Sequence, residues 1–272
     1  MKFNITHNII WLIILATSAC SSLTIKQEKT IVELKKDVQF TIQKVNKKVK
    51  ANPESVLQNS ISALDSILEY TETVKSDPSK FSPEKIKAYI LKINIINENM
   101  ERFSDLTLQT DVSFPLGTYK LKHLSKKGKV RIDQLTDKIY LSIREMAKKY
   151  PQKQIKVMVK TIGYTDETQI VTGSRLEKEI IKAIPKKIES NPSKKRQQYS
   201  QILSQFRAST LSQYVVQHLQ QKLLDSNRLE ITTEIQGLGE KLPSKKSTEL
   251  PYKNKDPRRR VCIISPFVEI IP

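Results

Sequence analysis

The chain is short of what a stapled or metal-built protein needs. Two cysteines and three histidines in 272 residues are too few for a disulfide framework or a Cys/His zinc cluster. Six glycines exclude a glycine-repeat fibre and argue against a loop-rich chain. No apolar run reaches the about 20 residues that span a bilayer comfortably. The Gly-rich phosphate loop, HExxH and GxSxG are all missing. His123 and His218 fall in helical segments without metal-ligand spacing. The expectation is a protein that is not an enzyme and carries neither metal nor cofactor.

Positive charge is abundant. Lys and Arg number 47 against 28 Asp and Glu, a net charge of +19. Such a balance favours an anionic partner: nucleic acid, acidic lipid or an anionic polymer. Apolar residues make up 38%, enough for a core, and the length suits one large domain or two ordinary ones.

The first residues narrow the setting. Lys2 precedes the apolar run Ile9 to Leu15, followed by Ala16, Thr17, Ser18, Ala19 and Cys20. A basic start, a short apolar segment and a small-residue exit describe a secretory signal peptide over residues 1–19, which takes His7 with it. TSAC resembles a bacterial lipoprotein processing box, with Thr17 where the box usually has Leu. That resemblance implies lipidation of Cys20, and Ser21 in place of Asp after it implies outer-membrane sorting. Ordinary cleavage after Ala19 is the alternative. Cys262, between Val261 and Ile263, reads as a small hydrophobe in a strand, and a Cys20–Cys262 disulfide is the alternative if Cys20 is not lipidated.

Residues 20–106 read as helix. Ile31, Leu34, Val38, Ile42, Val45 and Val49 recur at three and four. Asn52-Pro53-Glu54 reads as the start of a second helix and Ser82-Pro83-Glu84 as the start of a third, with Asp77-Pro78 between them. A helical hairpin or bundle serving as a spacer, or a surface for other envelope proteins, fits this pattern.

From residue 107 the pattern changes to an α+β type, a mixed sheet with helices packed on it. Val112-Ser113-Phe114 is a short strand signal, and a helix comes next with Ile132, Leu135, Ile139, Ile143 and Met146 on one face. Ile155, Val157 and Val159 then alternate with Lys156, Met158 and Lys160. Residues 168–199 read as a basic exposed insertion with one short helix at Leu176 to Ala183; Lys186, Lys187, Lys194, Lys195 and Arg196 form its solvated face. A helix opening at Ser204, a strand from Leu229 to Ile235, a Gly237-Leu238-Gly239-Glu240 turn and a last strand from Val261 to Val268 complete the chain.

Five segments in order, VSFPLGTYKL, IGYTDE, LSQFRASTLSQYV, IQGLGEKLP and Arg259-Arg260-Val261, resemble the OmpA-like peptidoglycan-binding domain over residues 107–272. The resemblance implies non-covalent binding of the peptide stem of peptidoglycan, diaminopimelate in particular. The Asp of its TD pair and the Arg of its LSxxRA segment fall on Asp166 and Arg207, with Thr165 and Ser204 beside them. The residue types suit the ligand: a free amino-acid end offers an ammonium and a carboxylate, and Arg meets a carboxylate with a planar fork. An Arg207 near a helix N-terminus would add backbone N–H groups. Arg259 and Arg260 either join the pocket, meet a polyanion or support loop packing. Asp166 as a turn cap and Arg207 as a partner of a surface acid are the plain structural alternatives. Arg207 stands 41 positions after Asp166, more than the family pattern has, and Ser200 and Arg258 stand where that pattern has Asn.

Two functions are expected on these grounds. One is a lipoprotein anchored in the outer membrane at its periplasmic face, tethering the envelope to the wall. The other is a wall-anchoring subunit of an envelope-spanning secretion or motility complex, using residues 21–106 as a protein interface. Nucleic acid is not expected as a partner, because that reading rests on charge alone and export argues against it.

Overall fold

In a computed structural model, residues 22–53, 55–103, 106–109, 114, 117–166, 169–184, 188–223, 227–242, 256 and 259–271 are described. The expected leader, Cys20, the strand signal at Val112-Ser113, Lys186, Lys187 and Arg258 lie outside them.

The fold is α+β. Among the described residues three α-helices come first: α1 (Ile25–Ala51), α2 (Gln58–Ser76) and α3 (Pro83–Arg102). Their apolar stripes close on one another, with Ile31, Leu34, Val38, Leu64, Val74, Ile93 and Ile96 all buried. The helix starts are locally written. Thr24 caps α1 in a reciprocal capping box with Gln27, and Ser82 caps α3 by accepting the Lys85 N–H at 3.2 Å, with Pro83 at the first helical position. One expected start is different. Asn52 closes α1, its N–H donating to the Lys48 carbonyl, and α2 begins at Gln58 without a side-chain cap. The Asn52-Pro53 pair ends a helix because an extended Asn before proline cannot continue one.

The second layer is a four-stranded sheet in the order β1-β4-β2-β3, from β1 (Leu106–Gln109), β2 (Gln154–Gly163), β3 (Leu229–Gly237) and β4 (Val261–Ile271). β2 and β3 run parallel; β4 is antiparallel to both β1 and β2. β1 lies earlier than the strand signal at residues 112–114. On one sheet face Ile155, Val157, Val159, Cys262, Ile264 and Val268 are buried under α4 (Lys126–Lys149) and the long α6 (Pro192–Lys222). The period-two pattern of β2 therefore reports its geometry faithfully.

Helix α3 is bolted to the sheet where β1 gives out. β1 covers β4 only from Val261 to Ile264. Farther along, the Asn99 side chain takes the place of a strand: its Nδ2 donates to the Val268 carbonyl at 2.8 Å and its Oδ1 accepts the Val268 N–H at 2.7 Å. Buried backbone groups need such partners, and Ile95 and Phe103 of the same segment join the main core.

The insertion is ordered where it is described. Helix α5 (Arg175–Ala183) carries the Ser174 cap, which accepts the Glu177 N–H at 3.1 Å. Leu176 and Ile180 of α5 pack against Tyr199 and Leu203 of α6.

Candidate functional site

The five family-like segments are remote in sequence and converge at one end of the sheet. Gly163 at the end of β2 pairs across to Gly237 of β3 and to Cys262 of β4. Glycine is required there by close approach. A Cβ on Gly163 would lie 2.1 Å from the Ser204 carbonyl oxygen, and one on Gly237 would lie 2.5 Å from that of Gln201. Without side chains at these points, β2 and β3 let α6 rest directly on their backbones. Tight hydrogen bonds then lock the segments: Leu238 N–H to Gly163 O at 2.9 Å, Thr165 N–H to Gly239 O at 2.8 Å and Tyr164 N–H to Val261 O at 2.9 Å.

Each expected site residue finds a partner in this knot. Asp166, only 4% exposed, accepts from Arg260 Nε at 3.0 Å. Arg207, 2% exposed, donates Nε to the Thr118 carbonyl at 3.3 Å. Ser204 Oγ accepts the Gly239 N–H at 2.9 Å while donating to the Gln201 carbonyl at 2.7 Å. Thr165 Oγ1 reaches the Ser200 carbonyl at 3.5 Å. Arg259 donates to the Glu240 carbonyl. Asp166 and Arg260 thus form a nearly buried ion pair between the end of β2 and the start of β4.

Two expectations are corrected here. Ser204 does not open a helix. Asn191 caps α6 by accepting the Ser193 and Lys194 N–H groups, with Pro192 at the first position. Proline starts that helix because its missing N–H would be unsatisfied there anyway. Arg207 consequently sits roughly four turns inside α6, and no helix N-terminus aids it. The basic stretch is not simply a solvated face either. Arg196 binds Glu240 through Nε and Nη2 at 2.9 and 3.1 Å, and Lys195 comes within 3.6 Å of Glu177.

Several residues that sequence reasoning passes over complete the site. Glu240 gathers Arg196, Arg259 and the Ser200 hydroxyl, which donates at 3.0 Å. Ser200 therefore replaces the expected Asn with a group that still hydrogen-bonds. Glu179 of α5 accepts from Tyr119 Oη at 2.9 Å and from Lys120 Nζ at 2.5 Å. Its carboxyl is held down to about 2, chiefly by Lys120 and further by Tyr119 and Arg175. Burial, aided by Glu179, pushes the Tyr119 phenol up to about 12. The Tyr119 ring also packs on Phe206, centroids 4.6 Å apart. The insertion thereby grips the short segment whose Thr118 carbonyl receives Arg207. An acid three positions after a helix-capping Ser, as in Ser174-Arg175-Leu176-Glu177, marks the start of the short helix in it. Beneath the site, burial pushes the Cys262 thiol up to about 12 against the opposing pull of Arg207, so this cysteine is an inert core residue.

Among the described residues no group of His, Cys, Asp and Glu could hold a metal ion, and no helix is long and apolar enough to cross a membrane. No protein-family model matches the chain, and no curated protein matches it. Similar solved structures include the following two. One is a putative MotB-like protein from Desulfovibrio vulgaris, 13% identical, covering 64% of this chain and 87% of its own, with a TM-score of 0.27. The other is the cell wall anchor of the T6SS from Pseudomonas aeruginosa, 16% identical, covering 65% of this chain and 96% of its own, with a TM-score of 0.29. Likenesses at this level decide nothing about what this chain binds.

Proposed function

We propose that this protein binds peptidoglycan without covalent attachment, through the peptide stem and its diaminopimelate, and so ties a larger structure to the cell wall. The observation that supports this reading is the convergence of all five family-like segments on one charged end of the sheet. Direct hydrogen bonds join the five segments: Arg207 to Thr118, Gly239 to Ser204, Thr165 to Gly239 and Arg260 to Asp166. A zwitterionic amino-acid end suits this arrangement. Its ammonium would take the place of Arg260 at Asp166, and its carboxylate would meet the guanidinium groups of Arg260 and Arg207.

On this reading the chain is exported. The leader and Cys20 supply an outer-membrane lipid anchor on the periplasmic side, and the helices α1 to α3 form the spacer. The wall-anchoring subunit of an envelope-spanning complex is the second reading, in which the same helices meet partner proteins.

The test is sedimentation of the purified chain with cell-wall sacculi, with free diaminopimelate as competitor. Sedimentation that diaminopimelate reverses supports the reading, as does its loss in Arg207→Lys with unchanged thermal unfolding, because Lys keeps the charge and loses the fork. Undiminished sedimentation of Asp166→Asn combined with Arg207→Lys would refute the site. Labelled-palmitate incorporation that depends on Cys20 tests the anchor. Stoichiometric co-purification of partners through residues 21–106 separates the second reading from a lone tether.

A further inference from the structure

Helix α1 has a second face that the bundle leaves outside. Ile31, Leu34, Val38, Thr41 and Val45 turn inward. On the opposite side, at helical spacing, Ile25, Val32 and Phe40 alternate with Lys29, Lys36 and Lys47, and all six are exposed. The apolar three are 88%, 50% and 56% exposed, large values for side chains of this kind on one helix. The Phe40 ring carries the Lys44 ammonium 4.4 Å from its centroid.

The charge of this face is not cancelled. Lys35 and Lys48, at its margins, are engaged by Glu72 and by the Met100 carbonyl. None of the ion pairs among the described residues involves Lys29, Lys36 or Lys47. Glu33 borders the stripe, and Glu28 and Asp37 lie farther round on either side. Set against these three acids are Lys26, Lys29, Lys36, Lys44, Lys47 and Lys50, so the exposed side stays cationic even when every acid is counted.

The two properties together select a partner. A polyanion would pair with the lysines and leave Ile25, Val32 and Phe40 in water. A bilayer with acidic lipids offers negative head groups and, just beneath them, an apolar boundary. Lysine stems lie along apolar surface while their ammonium groups stay at phosphate level. The stripe runs straight for about 40 Å, which suits a flat surface. We infer that the outward face of α1 lies along a bilayer rich in anionic lipid. Ile25, Val32 and Phe40 dip into the head-group boundary, and Lys29, Lys36 and Lys47 meet the phosphates. Thr24, the cap of α1, closely follows Cys20, so an acyl chain there would hold this same face near a membrane. The contact needs neither that acyl chain nor wall binding, and it stands or falls apart from Asp166 and Arg207.

The experiment uses the full chain with Trp11→Phe and Phe40→Trp, which leaves one tryptophan, at position 40. It is mixed with vesicles of phosphatidylcholine alone or with phosphatidylglycerol added. A blue shift of the emission on the phosphatidylglycerol vesicles, reversed by salt, supports the inference. Lys29→Gln, Lys36→Gln and Lys47→Gln together should weaken that binding about a hundredfold, at about tenfold or less per lysine. Ile25→Ser with Val32→Ser should weaken it about tenfold. All five positions are exposed, so the fold should survive, and the leader is common to every variant. No blue shift, an equal shift on phosphatidylcholine alone, or unchanged binding after the three lysine substitutions would each overturn the inference. A shift produced by cell-wall sacculi but not by vesicles would overturn it too, in favour of an anionic polymer.

Discussion

Gly163→Ala tests the architecture of the site with one methyl group. The new Cβ would lie 2.1 Å from the Ser204 carbonyl oxygen and 2.9 Å from its carbon, both backbone atoms. Neither can rotate away, so α6 must retreat from β2 by about 1 Å to restore ordinary contact. Retreat breaks the bond from the Gly239 N–H to Ser204 Oγ, 2.9 Å at present, and carries Arg207 away from its place. Overpacking of this kind costs about 3 kcal/mol, and the lost hydrogen bond about 1 kcal/mol more. With a urea slope of about 2 kcal/mol/M, the unfolding midpoint should fall by about 2 M. Circular dichroism recorded through a urea titration measures this. Gly173→Ala is the control: that glycine has φ +78° but no atom within 4 Å of an added Cβ, so it should lose only about 1 kcal/mol from backbone strain. A Gly163→Ala midpoint within about 0.3 M of the parent protein would refute the close packing of α6 on β2.

Three further outcomes rest on contacts of the same kind. Asn99→Ala orphans the buried N–H and C=O of Val268; it should cost about 3 kcal/mol and speed hydrogen exchange at the Val268 amide, and an unchanged exchange rate would count against the clamp. Glu179 has a folded-state pKa lowered to about 2, below the ordinary value. Its grip on Lys120 and Tyr119 is therefore fully present above about pH 4 and is lost as the pH falls toward 2; the arginine side-chain resonance of Arg207 should shift in that window, and Glu179→Gln should shift it at neutral pH. Glu240→Gln removes the charge that meets Arg196 at 2.9 and 3.1 Å and should lower stability by about 1–2 kcal/mol, measured by the same urea titration.

Much of the fold is legible along the chain because it is governed by local rules. The alternation Ile155, Val157, Val159 states which face of β2 is buried, since a strand presents successive side chains to opposite sides. The sequence Ser82-Pro83-Glu84 announces a helix start because capping and proline geometry act within one turn. The positions of Asp166 and Arg207 are readable from ordered motifs. Their environment is not: burial to 4% and 2% and the Arg260 and Thr118 partners depend on segments up to 94 positions away. The start of α6 is hard to place because Pro192 has two meanings. It breaks a helix running into it, and it presets the first turn of a helix running out of it. Only the Asn191 side chain, turned to the Ser193 and Lys194 amides, decides between them.

By itself, then, the sequence determined the apolar helix faces, the buried face of β2 and the net charge, because each is a matter of periodicity, propensity or residue type. The tertiary structure decided the rest. It showed that Gly163 and Gly237 are contacts before they are turns, that Arg196 is a half-buried partner of Glu240, and that Asn99 stands in for a missing strand. The reason is the same in each case: close approach and hydrogen-bond satisfaction are properties of atoms brought together by folding, and no local pattern encodes which distant backbone will arrive.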